Sequence, residues 1–148
     1  MLFRSPDRHP LVGVGVILLD THVLLWLDRQ DPALGTATRE LIQIEWERGS
    51  VAVCAISFWE AAMLAARGRI ELWQSPESWR LDWLGAGLAE IALDGATAMA
   101  ASSLVEFHAD PADRFIVATA LAHGASLVTA DQAILGWSGP LQRHAAAG

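Results

Sequence analysis

Uninterrupted apolar runs alternate along this chain with stretches whose apolar positions recur every three or four residues. Val14 to Leu19 is such a run, rich in β-branched residues, and it stops sharply at Asp20-Thr21. A run of that kind reads as a strand buried on both faces, as in a parallel sheet. Val23 to Leu27 predicts a short helix. Thr36 to Arg48 predicts a second, begun by Gly35-Thr36 and stopped by Gly49. Val51 to Ile56 is the next strand, after which Ser57 opens a helix to about Arg67 that Gly68 closes. Ser75-Pro76-Glu77 starts a helix toward Gly87, Leu88 to Leu93 is a short strand, and Asp94 caps a helix from Gly95 to Val105. Asp110-Pro111 opens a long apolar helix that ends at His123-Gly124. Ser126 to Thr129 is a strand that stops at Asp131, and Leu141 to His144 fits a final one. Uniformly apolar strands alternating with helices imply an α/β fold: a three-layer α/β/α sandwich with a mainly parallel central sheet.

The 148 residues suit one domain, and about half of them are hydrophobic, enough to bury a sizeable core. We divide the chain into a loose, polar, proline-bearing leader over residues 1–12 and a single domain over 13–148. The apolar stretch after Arg8 contains two glycines, is too short to span a bilayer and lacks a small-x-small cleavage site, so it is not read as a secretory signal. The single cysteine, Cys54, has no internal disulfide partner and lies in an apolar run, as a core residue of a reducing compartment would. A cytoplasmic protein with no membrane contact is expected.

The net charge is −7, and all ten basic residues are arginine. Absence of lysine removes P-loop NTPases, receiver-like and haloacid-dehalogenase-like phosphoryl-transfer sites, and Schiff-base chemistry, all of which rely on that amine. The acids stand at informative places. Ligands of open α/β sheets bind beyond the carboxyl ends of the strands. Asp20 follows the first strand, Glu60 lies one turn into the helix after the second, Asp113 lies near the start of the long apolar helix, and Asp131 follows the Ser126–Thr129 strand. If the strands of Asp20 and Asp131 are neighbours, these side chains share one rim. There they would repel one another, and a hard cation such as Mg²⁺ or Mn²⁺, which takes oxygen ligands, would remove the repulsion.

Each acid also has a plain structural role open to it. Ser57-Phe58-Trp59-Glu60 matches a capping box, Asp110 an N-cap followed by proline, Asp113 a third helical position suited to the dipole, and Asp131 the cap of a short helix. Asp20 is the hardest to explain in that way. A carboxylate at the mouth of a buried strand needs a partner, and no lysine exists to supply one.

Four segments carry a family likeness. Leu18-Leu19-Asp20-Thr21-His22-Val23-Leu24-Leu25-Trp26 resembles the opening motif of the VapC-like toxins, the PIN-domain ribonucleases of bacterial toxin–antitoxin pairs. Ile56-Ser57-Phe58-Trp59-Glu60 resembles the second motif, His108-Ala109-Asp110-Pro111-Ala112-Asp113-Arg114 the third, and Leu127-Val128-Thr129-Ala130-Asp131 the fourth. The resemblance implies that Asp20, Glu60, Asp113 and Asp131 hold a divalent metal, Mg²⁺ or Mn²⁺, with Asp110 a candidate fifth ligand. It further implies endonucleolytic hydrolysis of RNA to 5′-phosphate and 3′-hydroxyl ends, a cognate antitoxin protein as partner, and a homodimer. Ala112 departs from the bulky aromatic common in the third motif, which bears on packing rather than ligation.

Around the acids, Thr21, Ser57, Thr129 and His108 are candidates for orienting ligands or contacting substrate. Arg114 is expected either to pair with a neighbouring acid or to approach a phosphate. His22 and His108 could serve as general acids or as hydrogen-bonded structural histidines. Arg67, Arg69 and Arg80 form a candidate basic edge. Trp26, Trp46 and Trp59 are expected in the core or at a subunit interface, and the segment Trp73 to Leu84 as an exposed apolar surface for a partner helix. The alternatives in view are a non-catalytic PIN-like binding module acting through a partner protein, a phosphatase, and a nuclease acting on DNA.

Overall fold

The structure is a computed structural model that describes residues 15–107 and 110–148. The expected leader over residues 1–12, Val14 of the first strand, and His108 lie outside the described residues. In chain order the elements are β1 (Ile17–Leu19), α1 (Thr21–Arg29), α2 (Thr36–Glu47), β2 (Val51–Cys54), α3 (Ala55–Ala66), α4 (Pro76–Ala86), β3 (Ala89–Ile91), α5 (Gly95–Ser102), α6 (Pro111–His123), β4 (Ser126–Thr129), α7 (Gln132–Leu135) and β5 (Arg143–Ala145). Five strands form one sheet in the order β3-β2-β1-β4-β5, and every pairing is parallel.

Alternate residues of a strand face opposite sides of a sheet, and here both sides are apolar. Ile17, Leu19, Val51, Val53 and Val128 face a core completed by Leu24, Ile42, Trp46, Trp79 and Trp83. Val16, Leu18, Ala52, Cys54 and Leu127 face a second core completed by Ile116, Val117, Ala120 and Trp137. This is the three-layer α/β/α sandwich expected from the uniformly apolar strands. β1 occupies the centre, with Leu18 level with Ala52 on one side and with Leu127 on the other.

Several boundaries differ from the sequence reading. β2 ends at Cys54, which occupies the N-cap position of α3, so Ser57 is the third residue of that helix and not its cap. The capping-box reading of Ser57 and Glu60 is therefore wrong. The first helix is longer than expected, because the Asp20 side chain caps it and starts it at Thr21. α5 ends at Ser102, three residues early, and the last strand, expected at Leu141–His144, begins two residues later and ends one residue later. The stretch Trp73 to Leu84 is not an exposed apolar face. Trp79 and Trp83 lie four apart, on the buried side of α4, and only Trp73 and Leu81 among its large apolar residues are exposed. Trp46 is buried edge-on against Trp83, as a core residue should be, whereas Trp59 is half exposed.

Candidate functional site

From β1 the chain steps outward to β2 and β3, then returns across β1 to β4 and β5. Direction reverses between β1 and β4, and the carboxyl ends of strands beside such a reversal form a crevice. Asp20 and Asp131 follow these two strands. Asp20 is buried at 4% exposure, and its backbone N–H donates to the Val128 carbonyl at 3.0 Å. Its Oδ1 accepts from the Thr21 N–H at 2.8 Å and its Oδ2 from the Thr129 hydroxyl at 2.7 Å. The Thr129 oxygen in turn accepts from the Asp131 N–H at 3.0 Å, so one threonine ties the two acids across the β1–β4 boundary. Asp131 caps α7, its Oδ1 accepting from the Ile134 N–H at 3.1 Å.

The other acids arrive on helices. Glu60, on α3, is hydrogen-bonded through Oε1 to the hydroxyl of Thr21, which also stands 2.9 Å from the Ser57 hydroxyl. Asp110 caps α6, accepting from the Asp113 N–H at 3.0 Å, with Pro111 at the first helical position. Asp113 then sits one turn inside, partly buried. The caps expected at Asp110 and Asp131 are thus present, and both residues still face the same rim.

Electrostatics brings these five residues together. Burial raises the Asp20 carboxyl above its ordinary range and Asp131 adds to the rise, while hydrogen bonds from Thr129 and Thr21 and the charge of His22 oppose it. Burial likewise raises Glu60 against the Thr21 hydrogen bond, with Asp20 and Asp110 contributing. Asp113 is pushed up to about 8, first by burial and then by Asp20, Asp110, Asp131 and Glu60. Carboxylates from four segments therefore act on one another as like charges. They do not close into a cage: among the described residues, no three acidic, histidine or cysteine side chains form a group arranged to hold a metal ion.

Among the described residues, arginine does not offset this charge, and Arg114, adjacent to Asp113, pairs with no acid. Its Nε donates to the Ala101 carbonyl at 3.0 Å, and its two terminal nitrogens donate to Phe107 at 2.6 Å and Leu104 at 3.3 Å. The expectation that Arg114 would pair with a neighbouring acid is corrected accordingly: it gathers the carbonyls of the turn between α5 and α6. The sequence offered no sign of this beyond the fork shape of a guanidinium, which suits several acceptors at once. Arg80 is likewise absent from the expected basic edge, since it pairs with Glu90 at 2.6 Å and lies over Phe58. Arg67 and Arg69 are exposed, as that edge requires. His108 is outside the described residues.

The donor set suits a hard cation. Among the described residues it consists of carboxylate oxygens, with no thiol and no buried base beside them. An open rim is consistent with Mg²⁺, which keeps several waters and usually takes only one or two protein carboxylates along with substrate phosphates.

A family model described as PIN domain matches residues 17–135. The chain belongs to the PIN-domain family. This PIN domain is VapC-like: it is 38% identical over 117 residues to Ribonuclease VapC22 of Mycobacterium tuberculosis (strain ATCC 25618 / H37Rv), covering 78% of this chain and 87% of that protein. Among solved structures it resembles VapBC2 from Rickettsia felis bound to a DNA fragment from their promoter. The TM-score is 0.66 and the identity 18%, over 87% of this chain and 97% of that one. It also resembles DNA-bound VapBC from Salmonella typhimurium, with a TM-score of 0.64 and 18% identity over 87% and 96% of the two chains. At such identities these structures speak for the fold, and the PIN domain described above is that fold.

Proposed function

We propose that this PIN domain is an Mg²⁺- or Mn²⁺-dependent endoribonuclease, the toxin component of a toxin–antitoxin pair. Asp20, Glu60, Asp113 and Asp131 are its metal ligands and catalytic residues, and Asp110 is an additional carboxylate at the rim. The observation that carries this reading is the linkage of acids from separate segments at one rim, Asp20 to Asp131 through Thr129 and Asp20 to Glu60 through Thr21, with no lysine in the chain and the adjacent Arg114 turned away. Carboxylates gathered in this way repel one another when ionised, unless a cation answers them. The name of the VapC22 relative, which is that of a ribonuclease, gives the reaction class.

When bound, the cation supplies positive charge for the phosphodiester oxygens and acidifies an attacking water. The chain does the rest. Asp20, held through both oxygens by Thr21 and Thr129, sets the fixed side of the site. Glu60 and Asp113 reach the same rim from α3 and α6. With the cation in place they stay ionised and orient water by hydrogen bonds rather than by donating protons. Thr21, Ser57 and Thr129 fix those carboxylates.

As partner we propose a cognate antitoxin, in line with the VapBC structures that the fold resembles, and a homodimer as the working assembly. Among the described residues no helix is long and apolar enough to cross a membrane, and we place the protein in the cytoplasm. The experiment is cleavage of an end-labelled RNA by purified protein with Mg²⁺, with EDTA, and by Asp20→Ala. Cleavage only in the first condition is expected. A divalent-cation titration with no effect on thermal stability would instead favour a non-catalytic binding module.

A further inference from the structure

We infer that Thr21 is a positioning residue that locks Glu60 in fixed relation to Asp20, an inference that rests on the ion site proposed above. Thr21 is buried at 1% exposure at the first turn of α1, and Ser57, beside it, is fully buried. Two different groups of this one residue face two different acids. Its backbone N–H donates to Asp20 Oδ1 at 2.8 Å, and its hydroxyl is hydrogen-bonded to Glu60 Oε1, 39 positions away in the chain. Ser57, one turn before Glu60 on α3, places a second hydroxyl 2.9 Å from the Thr21 oxygen. Among the described residues Thr21 is the one hydrogen-bond partner of the Glu60 carboxylate. Glutamate has three rotatable side-chain bonds, and a free one samples many directions. Held by a buried threonine it keeps one, and α1 and α3 are joined at the rim by this contact. Groups that orient a ligating carboxylate typically change metal affinity 10–100-fold when lost.

The test measures Mn²⁺ binding by calorimetry, with no substrate present. Thr21→Val keeps the shape and the N–H to Asp20 but removes the hydroxyl. It is expected to weaken binding about tenfold or more, and Thr21→Ser to restore it to near the wild-type value. The deciding measurement repeats the change in a Glu60→Gln background. If Thr21 acts through Glu60, Thr21→Val there adds no further loss. A loss as large as in the wild-type background, or full affinity in Thr21→Val itself, overturns the role. Should Thr21→Val not give the wild-type circular dichroism spectrum, Thr21→Ala replaces it in both backgrounds with the same expectations. Absence of binding by the wild type is a different failure: it removes the ion site, and the positioning role falls with it.

Discussion

The two ends of the same pair of strands are built on opposite principles. At the carboxyl ends of β1 and β4, carboxylates from four segments crowd together with hydroxyls and backbone N–H groups, and among the described residues no cationic side chain pairs with them. At the amino ends lies a cleft of about 270 Å³ lined by Gly15, Glu45, Ser126, Arg143 and His144 among others. Its charged groups are occupied. Arg143 donates to the carbonyls of Ile134, Trp137, Gly139 and Leu141 at 2.7–3.0 Å. Glu45 pairs with Arg48 at 3.1 Å, and His144 Nε2 stands 3.0 Å from the Thr38 hydroxyl. The charged groups of this cleft are thus internally paired, whereas those of the acidic rim meet no cation among the described residues. Unanswered charge marks the end where chemistry belongs.

Substitutions can break this contrast. The largest effect is expected from Asp20→Asn, which should lower RNA cleavage by at least about 100-fold while the circular dichroism spectrum stays unchanged. Comparable loss from a change at the amino-end cleft would erase the distinction. Next, Arg143→Ala removes a cation that satisfies four carbonyls. Urea denaturation should show a loss of about 2–4 kcal/mol, with Mn²⁺ affinity unaltered.

A pH series sharpens the comparison from the other side. Asp20, Glu60 and Asp113 have folded-state pKa values above their unfolded ones. The folded protein therefore binds protons more tightly than the unfolded chain. The associated stability is fully present below about pH 4 and is lost as pH rises through about 8 for Asp113. Metal-free protein should show a Tm that falls between pH 5 and pH 9, and Asp113→Asn should flatten that slope. A slope unchanged by Asp113→Asn would mean the acids do not share one field. The smallest effect belongs to Gln142→Ala in the exposed wall of the amino-end cleft, which should stay within about 0.5 kcal/mol of wild type in stability and about twofold in activity.

Local signals in the sequence were reliable where the physics is local. Ser75, Asp94, Asp110 and Asp131 all cap helices through the hydrogen bonds their positions suggested. Two-sided burial was also legible, because a strand covered on both faces has no polar positions to alternate with. Ser57 misled because its spacing to Glu60 satisfies a local rule, while a long-range contact to Thr21 is what the pair makes. Trp79 and Trp83 misled because Arg80, Leu81 and Asp82 between them give the stretch a mixed surface character, although the spacing of four already placed both rings on one side. Sheet order could only be posed as a condition, that the strands of Asp20 and Asp131 be neighbours, and the β1–β4 pairing meets it. Arg114 was beyond reach, since nothing in a sequence distinguishes a guanidinium that meets carboxylates from one that meets carbonyls.

The central place of β1 has a consequence in time as well as in space. Asp20 and the threonine that holds it are 109 positions apart. On a ribosome adding about 5–20 residues per second, a growing chain carries Asp20 for roughly 5–20 s before Thr129 has been made. Through that interval the middle strand lacks one neighbour and the rim lacks one side. On the proposed function, a nascent nuclease therefore spares the message and the ribosome that are producing it.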